Sequence, residues 1–154
     1  MIITNDTRPP PRTRRPGSAP ITMPRCLVVT ADRRLRDSIR IAAAIRADFV
    51  CVTAATVTEI DQLAADEQEL VFIDMAGLVG AVRRRATRLA AARARCQATL
   101  VVVCGHEEDD ADERLAQRLG VGLFLPGVSI ASAVNCVIDE FTRQGKPVAN
   151  CSEA

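Results

Sequence analysis

LVFIDMAG, residues 70 to 77, is the stretch that decides the fold. Four apolar residues in succession, without polar alternation, suit a strand covered on both faces, as in parallel sheets. The run ends at Asp74 and Gly77 follows, so a carboxylate stands where a buried strand meets a loop. Similar runs lie on either side: CLVVT (26 to 30) and FVCVT (49 to 53) before it, TLVVVC (99 to 104) and VGLFLP (121 to 126) after it.

The intervening segments carry helical spacing. Leu35, Ile39, Ala42 and Ala43 share one side of a helix predicted over 35 to 46, with Asp32 near its N-cap. Thr56 precedes a short helix bearing Val57, Ile60, Leu63 and Ala64. A longer one, from Leu78 to about Arg95, turns Leu78, Val82, Ala86 and Leu89 inward. HEEDDADERLAQRLG opens with acids suited to a helix N-terminus and stops at Gly120. The last helix is predicted over 129 to 143, on Ile130, Val134, Val137 and Phe141. Strand and helix alternating five times with buried-type strands predict an α/β, doubly wound parallel sheet with helices on both faces.

A chain of 154 residues suits one domain with a real core, and 48% hydrophobic with 25% charged residues is a globular balance. Residues 1–24 hold most of the prolines and no apolar periodicity, and are expected to form a disordered Pro/Arg-rich tail. Met23, just before the first strand, is an alternative start. The domain is placed at 25–143 and a polar tail at 144–154, with no room for an output domain. No apolar run approaches the ~20 residues of a membrane span, and the N-terminus lacks the h-region of a secretory signal. A cytoplasmic location is therefore expected. A net charge of +1 gives no general case for nucleic-acid or membrane binding.

Cys26, Cys51, Cys96, Cys104, Cys136 and Cys151 show no C-x-x-C pair and no metal-type spacing. Four of them sit in apolar strand or helix patterns, so buried free thiols are expected. Arg83, Arg84, Arg85, Arg88, Arg93 and Arg95 are read as a solvated face, because no aromatic stacking residue or DNA-reading motif accompanies them. Glu107, Glu108, Asp109, Asp110, Asp112 and Glu113 are read as a solvated helix start matched to the helix dipole.

In an open α/β sheet the working site lies beyond the carboxyl ends of the strands. That directs attention to Thr30, Ala31, Asp32, Thr53, Asp74, Met75, Cys104, Gly105, Leu125 and Pro126. Neither Gly-x-Gly-x-x-Gly nor Gly-x-x-x-x-Gly-Lys-[Ser/Thr] follows a strand, so nucleotide binding by those routes is excluded.

CLVVTADRRLRDSI (26 to 39), LVFIDMAG (70 to 77), TLVVVCG (99 to 105) and GLFLPG (122 to 127) resemble, in order and spacing, the strand ends of response-regulator receiver domains of the CheY-like kind. The resemblance covers roughly residues 25 to 143 and implies a five-stranded sheet in the order 2-1-3-4-5. It makes Asp74 the candidate phospho-acceptor for a histidine kinase. It also implies an acid pair for magnesium after the first strand, where this chain has Thr30 and Ala31, with Asp32 one or two positions late. Asp32 and Asp74 are then the weak metal candidates. The hydroxyl expected at the end of the fourth strand is replaced by Cys104. The expected lysine before a proline is replaced by Leu125 before Pro126, and Lys146 is the chain's one lysine. Phe124 matches the switch aromatic.

The resulting expectation is a stand-alone, atypical pseudo-receiver without enzyme activity or cofactor, signalling through protein contacts. Its expected partner is a histidine kinase, another regulator or a P-loop ATPase, or a second copy through the face of the fourth helix, fifth strand and fifth helix. The alternative is a phospho-accepting regulator in which Asp32 and the acidic loop hold magnesium beside Asp74. A thiol enzyme built on Cys104, His106 and Asp74 is disfavoured, because Cys104 lies in an apolar strand and no oxyanion hole is evident.

Overall fold

The computed structural model describes residues 23–45, 50–108 and 110–126, and positions 132, 135, 136, 138–140 and 143 beyond them. In chain order the elements are β1 (Arg25–Val29), α1 (Arg33–Ile45), β2 (Val50–Ala54), α2 (Val57–Ala64), β3 (Leu70–Asp74), α3 (Gly80–Ala94), β4 (Leu100–Gly105), α4 (Asp110–Leu119) and β5 (Leu123–Pro126). The five strands lie in the order β2-β1-β3-β4-β5 and every neighbouring pair is parallel. This is the doubly wound sheet predicted from the alternation, in the order the receiver resemblance implies.

Alternate strand residues leave the sheet on opposite sides. Leu27, Val29, Val71, Ile73, Val101 and Val103 join Ile60 of α2, Leu89 of α3 and Ala116 of α4 in one core. Cys26, Val28, Leu70, Phe72, Val102 and Cys104 join Leu35 and Ile39 of α1, and Ile138, in the other. β3 is buried at every position because it lies between β1 and β4 and under both layers. Each fully buried large apolar side chain contributes about 1.5–3 kcal/mol, so the strand runs dominate the folding energy.

The boundaries shift by one or two residues from the sequence reading, each for a local reason. α1 starts at Arg33 because Asp32 caps it, and residues 46–49 lie outside the described set. β2 accordingly begins at Val50 and runs one residue further, to Ala54, whose carbonyl accepts the Thr30 amide. α2 opens with a capping box: the Glu59 amide donates to Thr56 Oγ1 at 3.2 Å and the Thr56 amide donates to Glu59 Oε2 at 3.2 Å. β5 starts at Leu123 because the two preceding expected strand residues, Val121 and Gly122, are still leaving α4. Gly120, at φ +72°, lets its amide reach Gln117 O at 3.1 Å while the Val121 amide reaches Ala116 O at 3.2 Å, a Schellman ending.

Of the last expected helix, Ser132, Asn135, Cys136, Ile138, Asp139, Glu140 and Arg143 are helical, while Ile130, Val134, Val137 and Phe141 lie outside the described residues. So do residues 1–22 and the polar tail at 144–154. The expectation of buried thiols needs correction: Cys26 and Cys104 are buried, Cys51 is half-buried, and Cys96 and Cys136 are exposed. Among the described residues no helix is long and apolar enough to cross a membrane.

Candidate functional site

The carboxyl ends of β1, β3 and β4 bring Thr30, Asp74 and Cys104 to one edge of the sheet. Asp74 closes β3 with 2% of its surface in water. Thr30, fully buried, donates from Oγ1 to Asp74 Oδ2 at 2.9 Å. The Ala76 amide donates to Oδ1 at 3.1 Å. Both carboxyl oxygens are therefore engaged by neutral donors from the chain itself. Burial pushes the Asp74 carboxyl above its ordinary range and the charge of Asp32 adds to this, while the bonds from Thr30 and Ala76 and the charge of His106 pull it down.

Asp32 serves a different purpose. Its Oδ1 accepts the amides of Arg34 at 2.8 Å and Leu35 at 3.3 Å, the bonds of an N-cap, and its own amide donates to Thr30 Oγ1 at 3.1 Å. The exposed Ala31 contributes no donor atom from its side chain, and its Cβ is 3.4 Å from the point where a Cβ on Gly77 would stand. Cys104 pairs in register with Asp74. Burial and the neighbouring Asp74 charge push its thiol up to about 12. It stays protonated near neutrality, which removes the nucleophile a thiol enzyme would need.

On the β5 side, Leu125 registers with Cys104 and Pro126 with Gly105. Leu125 packs against the α1-side core. The half-buried Phe124 packs on the opposite side, against the core of α2, α3 and α4. Lys146 and Asp109 lie outside the described residues. Among the described residues, no group of three or more His, Cys, Asp or Glu side chains is arranged to hold a metal ion. Among the described residues the donor set does not fit the magnesium site implied by the receiver resemblance, since Asp32 is turned to its helix and Asp74 is already bonded.

Sequence reasoning missed the residues behind the site. Arg83, assigned to a solvated face, is half-buried, and donates from Nη1 to the carbonyl of Met75 at 2.8 Å. Its Nη2 pairs with Oδ1 of Asp112. Asp112, assigned to a solvated helix start, is 2% exposed, and its Oδ2 is buried without a hydrogen-bond partner among the described residues. Gly105 permits this approach, because a Cβ there would stand 2.6 Å from Asp112 Cβ and 2.9 Å from Phe124 Cζ. The signal available in sequence was Asp112 itself, four residues before the inward Ala116 on α4. Elsewhere on α3, Arg85 pairs with Asp61, and Arg93 donates to the carbonyls of Ala64 and Asp66. Arg84 and Arg88 remain exposed beside an open groove of about 470 Å³, which Gly80, Arg83, Thr87 and Leu115 complete.

No family model matches the chain, and no curated protein matches its sequence. Solved structures do share the fold. A response regulator protein from Burkholderia multivorans aligns over 79% of this chain and 96% of its own, at 18% identity and a TM-score of 0.59. The chemotaxis response regulator CheY4 of Vibrio cholerae aligns over 77% of this chain and 98% of its own, at 14% identity and a TM-score of 0.57. A structure described as adenylate cyclase from Rhodopirellula baltica aligns over 80% and 90%, at 20% identity and a TM-score of 0.58. The fold of this chain is that of CheY-like receiver domains.

Proposed function

We propose that the chain is an atypical receiver-like domain that works in signal transduction through protein contacts, with Asp74 as an internal anchor. One observation carries this reading: Asp74 is 2% exposed and both its oxygens are bonded to Thr30 and Ala76. A phospho-acceptor must be open to the donor and flanked by cationic charge that stabilises the transferring phosphoryl group. Here the flanking positions carry Thr30, Ala31, Cys104, Leu125 and Pro126.

In this reading the domain has no enzyme activity, needs no cofactor and works in the cytoplasm. A histidine kinase, another regulator, a P-loop ATPase or a second copy of the chain docks on α4 and β5. β5 is an edge strand, and Leu123 on it is exposed, which supports that choice of surface.

The test is incubation with acetyl phosphate and magnesium, read by intact mass. No adduct on Asp74 is expected. A phosphate adduct lost in Asp74→Asn would overturn the proposal in favour of a phospho-accepting regulator that recruits Asp32.

A further inference from the structure

We propose that Cys26 and Cys51 form a reversible cross-strand disulfide, which makes the β1–β2 edge of the sheet a site of oxidation by hydrogen peroxide. The two residues are register partners on adjacent parallel strands. They also lie on the same face of the sheet, in the core covered by α1. Neighbouring strands run about 4.8 Å apart, within the ~4.4–6.8 Å between Cα atoms that disulfides bridge. β2 is the edge strand of the described sheet, beside β1, and four of its five residues are half-buried.

The two thiols are not equivalent. Cys26 is fully buried, whereas Cys51 is half-buried. A hydrogen bond from the Cys26 thiol to the Cys51 sulfur holds Cys51 below its ordinary range against the opposing effect of burial. The same bond, with burial and the neighbouring charge, holds Cys26 well above its own. Cys51 is thus the attacking sulfur and Cys26 the resolving one.

The Cys51 thiolate attacks one peroxide oxygen, the O–O bond breaks, and Cys51 sulfenic acid forms with release of hydroxide. The Cys26 sulfur then attacks the sulfenic sulfur, its proton leaves with the departing hydroxyl as water, and the S–S bond closes. The hydroxide takes up the proton first lost by Cys51. In sum, two thiols are oxidised and one peroxide is reduced to two waters.

No other described cysteine has such a partner in register. Cys104 lies opposite Asp74 and Leu125, while Cys96 and Cys136 are exposed and outside the strands.

The experiment treats the folded full-length protein with hydrogen peroxide, blocks remaining thiols with N-ethylmaleimide and digests with trypsin. The expected product is the peptide of residues 26–33 linked to that of residues 47–83, in a monomer lighter by two hydrogens and restored by dithiothreitol. Cys51→Ala, on the edge strand, is expected to abolish the link and leave Cys26 free, with an unchanged circular dichroism spectrum certifying the fold. The proposal is overturned if Cys51 accumulates as sulfinic acid or pairs with Cys96, Cys136 or Cys151. It is overturned equally if Cys26 and Cys51 both remain alkylatable after treatment.

Discussion

Asp74 and Asp112 are withdrawn from water to the same degree, yet they are held by different means. Asp74 rests on two neutral donors, a hydroxyl and an amide. Asp112 rests on a guanidinium, and one of its oxygens has no hydrogen-bond partner among the described residues. Arg83, which reaches the end of β3, is therefore paired to α4. Arg83 grips the carbonyl of Met75, the residue after Asp74, and through Asp112 ties the β3–α3 turn to α4. Arg83 thus serves the framework between β3 and α4.

The largest effect is expected from separating the second pair. Arg83→Met leaves Asp112 buried without its counter-ion, and breaking such a pair costs about 3–5 kcal/mol when both partners are fully buried. The Arg83 side chain keeps 34% of its surface in water, so a loss of about 2–3 kcal/mol is expected in urea unfolding. The double variant Arg83→Met, Asp112→Leu should recover most of it, because no charge is then stranded. A single-variant loss that the double variant fails to reduce would mean that Arg83 acts through Met75 alone.

Next comes Gly105→Ala. The added methyl meets Asp112 Cβ and Phe124 Cζ, both closer than a real Cβ tolerates. Overpacking of this kind costs roughly 1–3 kcal/mol, read as a lower urea midpoint with an unchanged slope. Combined with Phe124→Leu the loss should shrink, whereas a full loss in the combination would place the strain on Asp112.

Smaller again is Thr30→Val, which keeps the side-chain shape and removes the bond to Asp74. Losing a hydrogen bond to a buried acid costs about 1–2 kcal/mol. The variant should also raise the Asp74 carboxyl further, since the Thr30 bond is what most opposes the effect of burial. Carbon-13 titration of the Asp74 carboxyl reads this directly. A carboxyl that titrates unchanged would show the bond to be idle.

The parallel sheet was legible because LVFID and its companions are short apolar runs with no helical period, separated by helical segments, while the order of the strands followed only from the receiver resemblance. The residues at the strand ends, Thr30, Ala31, Cys104 and Leu125, were likewise legible in the sequence. The Arg83–Asp112 pair was not. Its members are 29 positions apart, and each sits in a run of like charges that resembles a solvated face. The Cys26–Cys51 pairing was hidden for a related reason. Register between parallel strands is set by how the intervening helix packs, and no turn residue records it.

The smallest effect concerns pH, and it comes from Asp74. The folded-state pKa of Asp74 lies above the ordinary value of about 3.9, with burial as the main cause. A group raised on folding contributes stability that is present below its unfolded pKa and lost as pH rises through the folded one. In wild type, ionising Asp74 therefore draws on stability as pH climbs out of the acid range. Asp74→Asn keeps an acceptor for Thr30 and cannot ionise, so its stability relative to wild type should increase from pH 4 towards neutrality, as followed by urea unfolding at each pH. A difference that instead decreases over this range would mean that the folded protein favours the charged carboxylate, the state a phospho-acceptor requires.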